Sequence, residues 1–168
     1  VLYIESMFSE LILLHRKGQR DFELRGGAAS VSGELWSFRT CLRKILIVSE
    51  SSLASIQLVE GDEVFCCFFA FRFCLQVIAG LQSPLIGETE VAGQFRTVVQ
   101  NFAIPHGPWG HQLKRFFAAL FEDVKKVRQK HLTDLGSQSY GSLLRRDLRG
   151  CKQIHIVGAG GFVKDLMP

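Results

Sequence analysis

The most constraining feature of this chain is residues 79–96, AGLQSPLIGETEVAGQFR, which separate two strongly apolar segments. The stretch contains three glycines, a Ser-Pro pair and two closely spaced carboxylates, Glu88 and Glu90. The Ser-Pro pair favours a turn, and the carboxylates suit the positive end of a helix that we expect to open after Gly87. A purely structural connection has little use for this combination, so residues 79–96 are the candidate functional segment.

The length and composition predict a folded domain. A chain of 168 residues with 47% hydrophobic residues can bury a sizeable core, and it has room for one domain or one domain plus a fragment. Phenylalanine is abundant, with fourteen Phe against two Tyr and two Trp. Because Phe has no polar tip, we expect the aromatic side chains mainly to fill the core.

The basic residues are bunched although the net charge of +4 is modest. One run lies between His15 and Arg25, and a second covers Lys125–Lys130. Such runs suit an RNA backbone. They are also typical of two solvated faces of a folded protein, and the residues alone leave both interpretations open.

The cysteines and the apolar segments predict a soluble protein of a reducing cytoplasm. Five cysteines, an odd number, form no C-x-x-C pair and no zinc-like spacing with histidine. The apolar run Val64–Ala79 is interrupted by Arg72 and Gln76 and is too short to cross a bilayer. No signal peptide opens the sequence, and we expect neither a metal nor a membrane partner.

Strand patterns come first along the chain. The four predicted strands are Leu11–Leu14, Glu34–Arg39, Lys44–Val48 and Ser55–Val59. With helices in the gaps, they give the βαββαβ order of a ferredoxin-like α+β domain, with Cys41 at the turn between the two central strands. From Asp62 onward the pattern changes to helix.

Two amphipathic helices are predicted by apolar residues at helical spacing. The first stripe is Val91, Phe95, Val98, Val99 and Phe102, and the second is Leu113, Phe116, Phe117, Leu120, Phe121, Val124 and Val127. We expect the loop Ile104–Pro108 to separate them and a further helix to run from about Ser137 to Arg149.

The end of the sequence resembles the start of a dinucleotide-binding unit. Gln153–Gly161 reads as a strand followed by a glycine-rich loop, in which Gly158, Gly160 and Gly161 are the candidate cofactor-binding residues. A complete unit needs a second strand and an acidic residue about 20 positions further on. We therefore predict a catalytic domain with a helical extension over residues 1–150 and an incomplete Rossmann unit over 151–168.

Cys41 is the candidate nucleophile. It is followed by Arg43 and Lys44, and cationic neighbours favour the thiolate form of a cysteine. On the residues alone, a cysteine between two strands is also compatible with a small buried hydrophobic residue.

Two motifs resemble the glutamyl-tRNA reductase family. Gly80-Leu81-x-Ser83 with Gly87-Glu88 is similar to the family's G-L-x-S-x-x-x-G-E segment, and Thr40-Cys41-x-Arg43 is similar to its T-C-N-R loop. The resemblance extends from about Leu11 to Leu166. It implies that Cys41 attacks the aminoacyl ester of glutamyl-tRNA, and that NADPH reduces the resulting thioester to glutamate-1-semialdehyde for tetrapyrrole (porphyrin and haem) biosynthesis.

The resemblance also implies a set of substrate-binding residues, which are Thr40, Arg43, Ser83, Glu88, Gln94 and Ser139. A guanidinium such as that of Arg43 suits the carboxylate of a glutamyl group. On sequence grounds alone, Arg43 is equally compatible with a surface strand, Ser83 with a turn-stabilising hydroxyl, and Glu88 with a helix terminus.

Several positions depart from the family pattern. Leu42, Ile45, Phe73 and Glu90 stand where the family has Asn, Glu, His and Gln, respectively. The family histidine is proposed to assist proton transfer, which Phe cannot do. His15 resembles the histidine of the family's N-H-K-T segment and is either an acid–base group or a structural residue.

The resemblance also implies a cofactor and protein partners. Full-length family members add a complete NADPH domain and a helical dimerisation domain, which implies a homodimer, and the downstream aminomutase is a candidate partner. We expect the isolated chain to bind neither NADPH nor NADH measurably. Two alternatives remain: a non-catalytic glutamyl-tRNA-binding or regulatory protein, and a thiol-dependent glutamyl-tRNA esterase.

Overall fold

The computed structural model describes residues 8, 10–25, 35–135, 139–155 and 157. Its strands are β1 (Leu11–Lys17), β2 (Glu23–Leu24), β3 (Leu35–Arg39), β4 (Arg43–Ser49), β5 (Ile56–Gln57) and β6 (Glu63–Cys66). Its α-helices are α1 (Cys67–Ile78), α2 (Glu90–Asn101), α3 (Pro108–His131) and α4 (Tyr140–Asp147). Short 3₁₀ helices cover Glu50–Ser55 and Thr133–Leu135.

Four strands form an antiparallel sheet in the order β3-β4-β1-β6. β1 lies inside the sheet, and its first six residues are buried. In the register, His15 lies opposite Ile45 of β4 on one side and Glu63 of β6 on the other. β2 and β5 pair separately as a two-stranded ladder.

Alternation along β1 places its side chains in two different cores. Leu11 and Leu13 belong to the larger core, which lies between the sheet and helices α1, α2 and α3. Ile12 and Leu14 belong to a smaller core that includes Ile56 of β5. Burial on both faces explains why this strand is almost continuously apolar.

Aromatic side chains fill the larger core, as the composition predicts. Trp36 of β3 lies 4.9 Å from Phe95 of α2 and 5.0 Å from Phe117 of α3, measured between ring centroids. α3 approaches the preceding loop closely at Gly110, where a Cβ atom would lie 1.7 Å from the carbonyl oxygen of Pro105. In the part of the chain that the structure describes, no helix combines the length and apolarity needed to cross a membrane.

The fourth strand of the sheet was wrongly predicted. Ser55–Val59 contributes only the two-residue strand β5, and the fourth strand of the sheet is β6, in a segment expected to be helical. Cys66 therefore ends a strand and is not part of the helix. The apolar run shows no break because β6 passes directly into α1 at Cys67, whose φ is +49°.

Other boundaries also differ from the predictions. α2 begins at Glu90, so Glu88 precedes the helix and does not open it. The last predicted helix is shorter, ending at Asp147, and Ser137 lies outside the described residues. Residues 153–155 form no strand, and Gly158, Gly160 and Gly161 also lie outside the described residues.

Candidate active site

The loop between β3 and β4 presents Cys41 to solvent. The Thr40 amide donates to the Arg43 carbonyl at 2.9 Å, and the Thr40 hydroxyl accepts from the amides of Leu42 and Arg43 at 3.2 and 3.3 Å. The side chain of Gln19 donates to the carbonyls of Thr40 and Cys41 at 2.9 and 2.7 Å. Hydrogen bonds within the loop and from Gln19 thus fix the loop backbone, while Cys41 stays exposed.

The turn after α1 needs glycine at position 80. Gly80 has a φ of +82°, and its carbonyl accepts from the amide of Gly87 at 3.0 Å, which closes the turn. A Cβ atom at Gly80 would lie 2.6 Å from the carbonyl oxygen of Glu88. Both the backbone conformation and this close approach exclude an ordinary side chain.

Arg128 of α3 stabilises this turn through hydrogen bonds to its backbone. Its guanidinium donates to the carbonyl oxygens of Ala79, Glu88 and Gly87 at 3.0, 3.2 and 3.1 Å. This role of Arg128 was not predicted from the sequence. The spacing could have indicated it, because Arg128 follows Leu120 and Val124 at four-residue intervals and so lies on the buried side of the helix.

A narrow cavity lies between the cysteine loop, this turn and α2. It measures about 50 Å³, which is space for roughly four water molecules. Its lining includes Cys41 and five of the six predicted substrate-binding residues: Thr40, Arg43, Ser83, Glu88 and Gln94. Leu42, Gln82, Glu90 and Tyr140 also line it. Gln82 lies in the candidate functional segment but was not predicted as a site residue, and Tyr140 carried no sequence signal.

Two polar contacts organise the cavity. Arg43 donates a hydrogen bond to the carbonyl oxygen of Gln82, and the Ser83 hydroxyl donates to a carboxylate oxygen of Glu88. Glu88 is buried, whereas Arg43 is half-buried. Burial lowers the pKa of Arg43, and the charges of Glu63, Cys41 and Glu88 oppose this shift.

Ser139, the sixth predicted residue, is not among the lining residues of the cavity. Its hydroxyl accepts from the amide of Ser142 at 3.0 Å and caps α4. The Ser142 hydroxyl in turn accepts from the Ser139 amide at 3.1 Å. The cap brings the next residue, Tyr140, to the cavity wall.

His15 lies on β1 beneath a second, wider cavity. Its Nδ1 is 2.6 Å from a carboxylate oxygen of Glu63, and its ring centroid is 4.8 Å from that of Phe73. The side chain is almost fully buried. Burial lowers the pKa of His15 more than the hydrogen bond to Glu63 raises it, so the ring is neutral at pH 7.

Both basic runs contain arginines that are engaged inside the protein. Arg16 makes two 2.6 Å hydrogen bonds to the Asp62 carboxylate, and both side chains are buried. In the second run, Arg128 binds the turn, and Lys126 pairs with Glu122 at 2.7 Å. Arg16 and Arg128 are therefore not presented to an RNA backbone, whereas Lys126 lies in an exposed ion pair on the surface.

The fold and the cavity define an α+β domain with an exposed cysteine in a cleft between a sheet and helices. A family model described as the N-terminal domain of glutamyl-tRNA reductase matches residues 30–131. Because this match covers more than half of the chain, the protein belongs to the glutamyl-tRNA reductase family.

Individual relatives agree with this assignment. The chain is 34% identical over 108 residues to glutamyl-tRNA reductase from Methanothermobacter thermautotrophicus, a match covering 61% of this chain and 25% of the relative. It is 29% identical over 136 residues to the reductase from Archaeoglobus fulgidus, covering 72% and 31%, respectively. The chain thus spans about a quarter to a third of these relatives.

A solved structure shows the same fold. The glutamyl-tRNA reductase from Methanopyrus kandleri superimposes with a TM-score of 0.55 at 20% identity, covering 94% of this chain and 45% of that one. The likeness supports the mixed α and β architecture around the cysteine loop.

Proposed function

We propose that this chain carries the acyl-transfer half of the glutamyl-tRNA reductase reaction, with Cys41 as the nucleophile. The single observation that carries the proposal is the exposed Cys41 thiol at a narrow cavity that Thr40, Arg43, Ser83, Glu88 and Gln94 also line. A thiolate is the reactive form of cysteine, and acyl transfer needs the nucleophile beside groups that hold the acyl chain.

The proposed step is a thiol–ester exchange. The Cys41 sulfur attacks the ester carbonyl carbon, a C–S bond forms, and the bond between that carbon and the ribose oxygen breaks. The ribose oxygen leaves with the proton that the thiol gives up. The products are free tRNA and a glutamyl thioester on Cys41.

The cavity suits a short acyl chain with a terminal carboxylate. A volume of about 50 Å³ suits a few heavy atoms better than a nucleotide. Arg43 uses one N–H on Gln82, so its remaining donors are available to a carboxylate. At the same cavity, Glu88 accepts a hydrogen bond from the Ser83 hydroxyl.

We propose reduction of the thioester by NADPH only for a protein that contains a nucleotide-binding domain. Residues 151–155 form no strand here, and Ile154 is half exposed rather than packed in a sheet. These described residues do not fit the strand–loop–helix unit that holds a dinucleotide. We therefore derive no hydride step for this chain.

We also propose that the sheet is a divergent form of the ferredoxin-like arrangement. The order β3-β4-β1-β6, antiparallel throughout, supports this. A 3₁₀ helix at Glu50–Ser55 stands where the second helix was expected. A cytoplasmic location, a homodimer and contact with the downstream aminomutase remain proposals for the full-length protein.

A single-turnover experiment tests the acyl-transfer proposal. The chain is mixed with tRNA carrying radiolabelled glutamate, and tRNA release and protein-bound label are followed together. We expect one tRNA released per protein and label that neutral hydroxylamine removes. Free glutamate formed in repeated turnovers would identify the esterase alternative, and tRNA binding without release would identify the binding-protein alternative.

A further inference from the structure

One glutamine side chain contacts the backbone on both sides of the candidate nucleophile. The Nε2 atom of Gln19 donates to the carbonyl oxygens of Thr40 and Cys41 at 2.9 and 2.7 Å. A primary amide nitrogen carries two protons, which matches these two acceptors. The two carbonyls belong to the peptide groups that flank the Cα atom of Cys41. Because each peptide group is planar, fixing both restrains the backbone torsions of Cys41 and the direction of its Cα–Cβ bond.

The turn that carries Cys41 departs from the favoured hairpin geometry. Its two central residues are Cys41 and Leu42. The flanking residues, Thr40 and Arg43, continue the register of β3 and β4, and the Thr40 amide donates to the Arg43 carbonyl at 2.9 Å. Two-residue hairpin turns favour positive φ values, which match the twist of the strands. Neither Cys41 nor Leu42 has a positive φ, so we expect hydrogen bonds from outside the hairpin to contribute to its conformation.

Residues 18–21, here called the strap, supply these hydrogen bonds. The amide of Gly18 donates to the carbonyl oxygen of Leu42 at 2.8 Å. Gly18 follows the last residue of β1 and has a φ of +82°, a conformation that glycine adopts at little cost. Gly18 and Gln19 together bind three consecutive carbonyl oxygens of the cysteine loop, those of residues 40–42.

The strap is also bound to the strands of the hairpin and to the core. The Asp21 carboxylate accepts hydrogen bonds from Arg39 of β3 and Lys44 of β4, which are directly opposite each other in the register. Like charges in that arrangement repel, and a shared carboxylate offsets the repulsion. The carbonyl oxygen of Asp21 accepts from Arg16, whose side chain is buried against Asp62. A buried ion pair therefore anchors the strap.

We propose that Gln19 is a positioning residue for the nucleophile, which fixes the backbone of Cys41 so that its thiol is held at the narrow cavity. The inference rests on the proposed function. Attack on an ester carbonyl needs the reacting atoms about 3–3.5 Å apart and aligned, and a misplacement of about 1 Å can cost about 100-fold in rate. Gln19 does not line the cavity. In this role it sets the direction of the thiol and not its ionisation.

The first test compares Gln19→Met with a matched control, Gln100→Met on the exposed surface of α2. Methionine keeps the length and neutrality of the side chain and removes its donors, and Gln19 is exposed, so we expect the variant to fold. Thioester formation on Cys41 in a single turnover should be about 10- to 100-fold slower in Gln19→Met, at unchanged affinity for glutamyl-tRNA. An unchanged rate, or an equal loss in Gln100→Met, would overturn the proposal.

Alkylation separates positioning from a change in ionisation. Iodoacetamide reacts with the thiolate and, as a small reagent, does not depend on a fixed direction of an exposed thiol. Mass spectrometry of the Cys41 peptide gives the alkylation rate as a function of pH. We expect Gln19→Met to keep the midpoint of this profile and the rate within about 2-fold. A shifted midpoint, or alkylation that slows as much as acyl transfer, would show that Gln19 acts on ionisation and would overturn the positioning role.

Nuclear magnetic resonance relaxation keeps the test decisive if the unmutated chain forms no thioester. The backbone order parameter of Cys41 should fall in Gln19→Met from about 0.85, typical of rigid backbone, toward about 0.6, and stay unchanged in Gln100→Met. An order parameter that does not fall would overturn the proposal whatever the activity. Absence of a thioester in the unmutated chain contradicts the proposed function, whereas a thioester that forms equally fast in Gln19→Met contradicts only the positioning role.

Discussion

Arg43 donates a hydrogen bond to the backbone carbonyl oxygen of Gln82, 39 residues further along the chain. This contact joins the strand that follows the cysteine loop to the turn between α1 and α2. Any ligand that engages the remaining donors of Arg43 is therefore positioned relative to both segments at once.

Arg43→Lys should weaken the preference for glutamyl over glutaminyl groups by about 1–3 kcal/mol, because lysine keeps the charge but loses the planar fork. A single ammonium cannot hold the Gln82 carbonyl and a carboxylate with the same geometry. The measurement is the rate of thioester formation from the two aminoacyl-tRNAs. Equal rates with both substrates in the unmutated protein would remove the basis of this prediction.

Arg128→Met should destabilise the turn that contains Gly80 and Gly87. The change removes three hydrogen bonds to carbonyl oxygens, and we expect a loss of about 1–3 kcal/mol in the free energy of unfolding. Urea denaturation measures the loss in the free energy of unfolding. Faster amide exchange at Gly87 and Glu88 would show that the loss arises in the turn.

The matched control for Arg128 is Lys125→Met, an exposed position on the same helix. It should change stability by less than about 0.5 kcal/mol. If both variants lose the same stability, the hydrogen bonds of Arg128 do not hold the turn.

Two glycine-to-alanine changes should have opposite signs. Gly80→Ala meets both a φ of +82° and the Glu88 carbonyl, so we expect a loss of at least about 1–3 kcal/mol. At Gly93, inside α2, a new Cβ would meet no atom within 4 Å beyond its chain neighbours and the helix's own backbone, so Gly93→Ala should gain up to about 1 kcal/mol. Thermal unfolding of both variants checks the signs; a stabilised Gly80→Ala would contradict the close approach.

Asp62→Asn should cost about 3–5 kcal/mol at pH 7, because it leaves the buried Arg16 guanidinium without its anion. The hydrogen bond from Arg16 holds the pKa of Asp62 below its usual value of 3.8. The carboxylate therefore contributes stability above about pH 4, and this contribution is lost as the pH falls through the lowered, folded-state pKa.

Urea denaturation from pH 7 down to pH 2 measures this dependence. The stability difference between the unmutated protein and Asp62→Asn should be constant near neutrality and shrink in acid. A difference that stays constant throughout would show that Asp62 is not the group that titrates. Asp123→Asn, on the surface of α3, should change stability by less than about 0.5 kcal/mol.

The spacing of hydrophobic residues correctly predicted elements whose buried face it marks. The stripe that includes Leu113, Phe116 and Leu120 correctly indicated α3, and the apolar run at Leu11 indicated β1. β6 was missed because Cys66 and Cys67 are both apolar, and no glycine or proline marks the change from strand to helix. The change occurs at Cys67, whose positive φ no sequence pattern indicates.

Only some of the residues at the cavity could be predicted from the sequence. Family motifs pointed to Cys41, Arg43 and Ser83, which the fold brings to one cavity although they lie on separate elements. Ser139 was expected in the same place, but its hydroxyl caps α4. The cap follows from local backbone geometry, which a motif match does not specify. Whether these residues bind substrate stays a prediction.

The most direct test of the account is the location of the acyl adduct. After brief exposure to glutamyl-tRNA and acid quenching, mass spectrometry of peptides should place one glutamyl group on Cys41. Cys41→Ser should lose the adduct and keep its fold, since the side chain is exposed, whereas Cys151→Ser, another exposed cysteine, should retain it. An adduct that persists in Cys41→Ser, or that maps to another cysteine, would contradict the central claim.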